Sequence, residues 1–134
     1  MKHASQSRNA GFTVIELVIV VAFLSVAAVF LFIQRSDLIA TNNDTIRKTA
    51  VNAMYYSLEK VYYQANSAYP ETLSSKTLTS VDPALFTDTN GKKPGDSGYE
   101  YRYSPTNCTN GQCRNYTLSV NLQKEAIYTK KSDR

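Results

Sequence analysis

The segment from Phe12 to Ile33 most constrains the fold, because only three of its side chains are clearly polar: Thr13, Glu16 and Ser25. As an α-helix these 22 residues extend ~33 Å, which is enough to cross a hydrocarbon core of ~30 Å. The segment therefore predicts one membrane-spanning helix. In a chain of 134 residues it leaves room for a single ordinary domain.

The residues before the apolar segment predict its orientation. Lys2, His3 and Arg8 lie among the first ten residues, which include no acidic side chain. Positive flanks stay on the cytoplasmic side, so the C-terminal part is expected outside. A conventional secretory signal would have a shorter apolar region with the cleavage site after it. Here the small residue, Gly11, comes before the apolar segment.

The helix is predicted to continue beyond the apolar segment to about residue 68. All five glycines and all four prolines lie outside Phe12 to Tyr69, and Pro70 then disfavours helix at the residue before it. Small and apolar residues repeat at spacings of three and four, widened by Met54 and Leu58, which indicates an amphipathic helix. The repeating residues are Ile46, Ala50, Ala53, Ser57, Val61 and Ala65.

The C-terminal third predicts a small antiparallel sheet over about 99–130. Residues 70–98 are expected to form a connecting loop, with a short helix near Pro83 to Phe86. Polar and apolar residues then alternate over 99–103 and again over 116–122, as in half-buried strands, and 126–130 could form a third strand. The predicted fold class is α+β, with a long N-terminal α-helix packed against a three-stranded antiparallel sheet.

The composition argues against an enzyme and against a bound cofactor. The chain has one histidine, His3, and two cysteines, so a zinc site or a histidine-based catalytic centre is not expected in the C-terminal domain. It has no glycine-rich phosphate loop. A net charge of +4 is too small to predict nucleic acid as the main partner.

Glu16 is the most informative side chain, because a charged group at the centre of a membrane helix costs ~3 kcal/mol, and less near its end. If the chain is cut after Gly11, the new α-amino group of Phe12 supplies a cation at the same depth. That amine could belong to the same chain or to a neighbour. Pairing between chains would produce an open helical assembly. The alternative is a glutamate close enough to the interface to reach water.

The run Gly11-Phe12-Thr13-Val14-Ile15-Glu16-Leu17, followed by an apolar segment, resembles the processing signature of type IV prepilins and pseudopilins. The resemblance implies that residues 1–11 are a leader, removed after Gly11 by a prepilin peptidase that also N-methylates Phe12. It implies that Glu16 sets the register of the subunit in a filament. It also implies a type IV pilin-like fold, with residues 12–33 as the transmembrane and polymerisation half of the helix and 34–134 as the extracellular domain.

The function implied by the resemblance is a structural subunit of a type IV pilus or a pilus-like filament. Such a subunit waits in the cytoplasmic membrane and then joins an extracellular filament used for twitching motility, adhesion, DNA uptake or secretion. Its implied partners are copies of itself, the prepilin peptidase, an inner-membrane platform protein and an assembly ATPase. Surface receptors or DNA are further candidates.

Two alternatives to a pilus subunit remain open at this point. One is a pseudopilin of a type II secretion system or a minor competence pilin for DNA uptake. The other is a membrane-anchored monomeric sensor or enzyme, for which no nucleophile and base pair is recognisable.

Cys108 and Cys113 flank Thr-Asn-Gly-Gln, in which Asn110-Gly111 is a strong turn dipeptide. An oxidising exterior would allow them to close a hairpin as a disulfide, the alternative being two free thiols.

Polar side chains in the connecting loop include the calcium candidates Asp88, Asn90 and Asp96. The full EF-hand spacing is missing, so turn formation is the favoured explanation. Ten tyrosines are predicted mainly to pack, and Tyr55, Tyr62 and Tyr69 are expected on one helix face. An adhesive aromatic surface and a charge-transport path are the alternatives.

Overall fold

The structure is a computed structural model that describes residues 11–134. Apart from Gly11, the predicted leader therefore lies outside the described residues. The chain divides into two compact units, one ending at Asp37 and the other comprising Leu38–Arg134. Each unit is described separately below.

The first unit consists of the N-terminal part of helix α1, which spans Val14–Ser57. The helix begins after Thr13, whose side-chain oxygen accepts a hydrogen bond from the backbone N–H of Glu16 at 3.3 Å. Such capping of a free N–H favours a helix start at this position. Every residue from 11 to 37 is exposed. By length and composition this helix could cross a membrane, as the sequence predicts.

In the second unit the helical segment ends close to the predicted position but contains an irregular turn. Helix α1 is followed by a π-helical turn over Leu58–Tyr62 and by a short helix, α2, over Tyr63–Asn66. Ser67 then adopts the left-handed conformation, with φ of 52°, and its N–H donates to the carbonyl of Tyr63 at 2.8 Å. This left-handed residue ends the helix before Pro70 is reached.

The buried face of the helix overlaps the predicted one in part, since Ala50, Met54, Ser57 and Leu58 are buried. Ile46 and Val61 are 42% and 45% exposed, and Ala65 is also exposed. The α1 residues that are buried are Asp44, Arg47, Ala50, Val51, Met54 and Ser57. The prediction was therefore correct for the centre of the face and wrong at Ile46, Val61 and Ala65, and the charged residues Asp44 and Arg47 belong to the buried face although the apolar periodicity did not include them.

The sheet has four antiparallel strands, one more than predicted: β1 (Tyr69–Pro70), β2 (Tyr101–Thr109), β3 (Gln112–Val120) and β4 (Tyr128–Lys131). Strand β3 is central and pairs with β2 over most of its length. Both β1 and β4 also pair with β3, at residues 112–113 and 117–120 respectively. The sequence did not predict β1, because its two residues carry no alternating pattern.

The core of the second unit lies between the helix and the sheet. Tyr101, Tyr116, Leu118 and Val120 project from β2 and β3 towards the helix, which contributes the buried α1 face described above. The loop after β1 adds Leu78, Val81 and Phe86. The predicted short helix is present as a 3₁₀ turn over Pro83–Phe86. The α+β prediction is therefore confirmed.

Candidate functional site

The three residues predicted to matter for processing and assembly lie together at the start of the apolar helix. Gly11 and Phe12 precede helix α1, and Phe12 is 77% exposed. Glu16 lies in the first turn of α1. A carboxylate in this position interacts favourably with the positive end of the helix dipole. The site therefore places one anion at the N-terminus of an apolar, solvent-exposed helix.

The predicted disulfide is present between Cys108 and Cys113. These cysteines are paired residues of β2 and β3, and a hairpin turn joins the two strands beyond them. Asn110 and Gly111 at the turn have φ of 51° and 78°. Positive values at both positions match the type I′ turn that an Asn-Gly pair favours.

The calcium candidates of the connecting loop are engaged in turns. The carboxylate of Asp88 accepts from the backbone N–H groups of Asn90 and Lys92 through Oδ1, and from that of Glu100 through Oδ2. Asp96 Oδ2 accepts from the N–H of Lys93 at 2.8 Å. Within residues 11–134, no group of three His, Cys, Asp or Glu side chains is close enough to hold a metal ion.

A buried cluster of charged side chains, which the sequence did not predict, connects the helix to the loop and the sheet. Arg47 donates to Asp44 Oδ1 at 3.0 Å and to both carboxylate oxygens of Glu100 at 3.0 and 2.5 Å. A further N–H of Arg47 donates to Thr89 Oγ1 at 2.9 Å. The spacing of Asp44 and Arg47 by three residues was the signal available in the sequence.

The hydrogen bonds of this cluster keep both of its carboxyl groups ionised. Burial alone would raise the pKa of Asp44, but the backbone N–H groups of Gln123 and Lys124, together with Arg47, lower it overall. Burial also opposes ionisation of Glu100, and hydrogen bonds from Arg47 and Thr89 outweigh it, so its pKa is lowered. The cluster is therefore anionic at its ends and cationic at its centre at neutral pH.

Tyrosine rings pack through the core around a second buried carboxylate. The rings of Tyr69 and Tyr116 lie 4.7 Å apart, and both hydroxyls donate to Glu59, at 3.0 and 2.8 Å. Burial, followed by these hydrogen bonds, raises the pKa of both phenols. The expectation that Tyr55, Tyr62 and Tyr69 share a helix face is wrong, because Tyr69 belongs to strand β1.

A groove of about 630 Å³ lies beside the disulfide hairpin in the second unit. It is open to solvent, and its lining combines two arginines, several amides and one tyrosine without any acidic side chain. The main polar contributors are Tyr63, Asn107, Gln112, Arg114, Asn115 and Arg134.

No family model, no curated protein and no solved structure matches this chain.

Proposed function

We propose that the chain is a structural subunit of a type IV pilus or a pilus-like extracellular filament. In this proposal it is cleaved after Gly11, N-methylated at Phe12, and assembled through its apolar helix with Glu16 setting the register. The observation that carries the proposal is the combination of an apolar N-terminal part of helix α1, exposed along its length, with a single carboxylate in its first turn.

Residues 11–134 leave the apolar surface of the helix exposed, so lipid or another protein chain must bury it. The large side chains along the apolar segment are exposed, and Phe23, Leu24 and Phe30 are each at least 64% exposed. Burying a side chain of this size contributes about 1.5–3 kcal/mol. Lipid can cover this surface in the precursor, and the helices of other copies can cover it in a filament.

Glu16 gives such an assembly a defined register. A carboxylate placed among apolar helices is costly unless it has a cationic partner. Cleavage after Gly11 creates an α-amino group on Phe12, four residues away from Glu16 along the chain. Phe12 and Gly11 lie before the helix and are exposed, so the bond between them is accessible to a peptidase.

The test is mass spectrometry of material sheared from the cell surface, in which the N-terminus of the protein is determined. The proposal predicts a chain that begins at a methylated Phe12. It also predicts that Glu16→Ala, expressed at the same level, is missing from the sheared fraction. As a control, Glu71→Ala removes an exposed carboxylate from the connecting loop and should be sheared off like the wild type.

Three results would contradict this proposal. A wild-type chain that keeps Met1 and remains in the membrane would favour a membrane-anchored monomer. Equal recovery of the Glu16→Ala and Glu71→Ala variants would show that Glu16 has no role in assembly. A processed chain that stays in the cell envelope and is absent from the sheared fraction would instead favour the short assembly of a secretion-system pseudopilin.

A further inference from the structure

The groove beside the disulfide hairpin carries two positive charges that no side-chain carboxylate in the described structure balances. Arg114 and Arg134 line it, and neither takes part in any of the three ion pairs found within residues 11–134. This contrasts with Arg47, whose guanidinium makes four hydrogen bonds to carboxylate and hydroxyl oxygens. The guanidinium groups of the groove can therefore accept an external anion.

The guanidinium of Arg134 is held in place by the ring of Tyr63. It lies over the ring with its central carbon 4.4 Å from the ring centroid. Stacking uses the flat face of a guanidinium and leaves its N–H donors in the plane available for a carboxylate. The backbone carbonyl of Arg134 also accepts a hydrogen bond from the Asn115 side chain. Part of the ordering that a ligand would require is therefore already present.

The surrounding charges favour an anionic ligand. The charged side chains of the groove lining are Arg114 and Arg134, and no acidic side chain lines it. The acidic side chains that follow Tyr101 in the chain are engaged away from the groove lining: Glu125 binds Lys48 at 2.6 Å, and Asp133 accepts from the Tyr55 hydroxyl at 2.5 Å. A positive surface of this kind attracts anions and repels cations over a Debye length of about 8–10 Å.

The remaining groups of the lining fit a hydroxylated ligand. The amide of Gln112 can both donate and accept hydrogen bonds, as can the hydroxyl groups of a sugar. The amide of Asn107 donates to Asn115 Oδ1 and keeps its own Oδ1 as an acceptor, while the amide of Asn115 also donates to Ser132 and Arg134. The volume of about 630 Å³ lies within the ~300–1,000 Å³ typical of small-molecule sites.

The hairpin fixes one wall of the groove. Cys113 lines the groove and is bonded to Cys108. Asn107 has a left-handed backbone with φ of 55°, and the strand pairing skips this residue. A wall that is rigid before binding loses less conformational entropy when a ligand arrives.

We propose that this groove binds an acidic sugar, with Arg114 and Arg134 contacting the carboxylate and the amides contacting the hydroxyl groups. The ligand class is a uronic acid or an oligosaccharide that contains one.

The experiment is a titration of the full chain in a neutral detergent, followed by ligand-observed NMR. The probe is trigalacturonic acid, and maltotriose serves as the neutral trisaccharide. We expect the acidic sugar to bind at least tenfold more tightly than maltotriose. Arg114→Gln and Arg134→Gln should each weaken its binding about tenfold or more. Arg134→Lys, which keeps the charge but loses the planar group, should have an intermediate effect.

Lys131→Gln is the matched control, because it removes one exposed positive charge from β4 outside the groove. It should change the dissociation constant less than twofold, and all variants should retain the far-ultraviolet circular dichroism of the wild type. Equal losses from Lys131→Gln and the arginine variants would overturn the proposal in favour of general charge attraction. Equal binding of maltotriose, or displacement of the sugar by equimolar inorganic phosphate, would overturn the assignment to acidic sugars.

Discussion

Arg47 is the residue whose loss the second unit should tolerate least. Replacing it by methionine keeps an unbranched side chain but leaves the carboxylates of Asp44 and Glu100 without their cation. Removing one partner from a buried ion pair costs about 3–5 kcal/mol. We therefore expect Arg47→Met to lower the free energy of unfolding by that amount, measured by urea denaturation in neutral detergent with circular dichroism as the signal.

The neighbouring Lys48 provides the control for Arg47. Its ion pair with Glu125 is exposed, with 31% and 59% of the two side chains accessible. Exposed pairs contribute about 1 kcal/mol or less, so Lys48→Met should have a small effect. If the two variants lost equal stability, the buried cluster would not have the role assigned to it.

Acid should weaken the fold through the same cluster. The pKa values of Asp44 and Glu100 are lower in the folded chain than their ordinary values of 3.8 and 4.5. The unfolded chain therefore takes up these protons first, and the stability they contribute is lost as the pH falls through that range and below it. We expect the thermal midpoint to fall below about pH 5, as followed by circular dichroism from pH 7 to pH 3.

The Glu100→Gln variant tests whether this carboxylate contributes to the acid effect. It should have a lower thermal midpoint than the wild type at pH 7, and the difference should narrow as the pH approaches 3. The exposed Glu125→Gln variant should follow the wild-type curve. A constant difference between Glu100→Gln and wild type at every pH would contradict the assigned cause.

At the scale of the element, the disulfide hairpin should gain stability from its covalent bond. Closing a loop of this length, from Cys108 to Cys113, contributes about 2 kcal/mol in the chain-entropy description. The double variant Cys108→Ser/Cys113→Ser should therefore unfold at a lower urea concentration than the oxidised wild type. Reduction of the wild type with dithiothreitol should have the same effect and should leave the double variant unchanged. A reduced protein of unaltered stability would contradict this prediction.

Elements with strong local patterns could be predicted from the sequence, and those that depend on distant contacts could not. The long helix and parts of strands β2 and β3 carry periodicities of their own, a third strand near β4 was expected after a short return, and the Asn-Gly turn indicated the hairpin. Strand β1 has two residues and exists because Tyr69 pairs with Cys113. The buried Arg47 cluster was missed because its partner Glu100 is 53 residues away. The groove likewise needs side chains from several separate segments.

For the whole molecule, we expect six tyrosines to ionise at a higher pH in the folded chain than in the unfolded chain. The pKa is raised above the ordinary value of 10 for six of the ten tyrosines, reaching about 12 for Tyr55 and Tyr101. For Tyr101 burial is the main cause, whereas for Tyr55 it is the hydrogen bond to Asp133. The neutral phenols stabilise the fold at pH values below 10, and this contribution is lost as the pH rises above 10.

Ionisation of the tyrosines can be followed by their absorbance at 295 nm as the pH is raised. In the native protein we expect six tyrosines to ionise in a late phase of the absorbance change, above pH 11. This phase should coincide with the loss of the circular dichroism signal. In 6 M guanidinium chloride all ten tyrosines should titrate together near pH 10. A single phase near pH 10 in the native protein would contradict the burial and the hydrogen bonds described for these rings.

The π-helical turn over Leu58–Tyr62 affects how the helix of a homologous chain would align with this one. A hydrogen bond from residue i to i+5 accommodates one more residue than a turn of α-helix. The turn therefore has the form that a continuous helix takes after a single-residue insertion. A homologous chain with an uninterrupted helix should align with a one-residue gap at this turn. Its helix would retain the same contacts with the sheet on both sides of the gap.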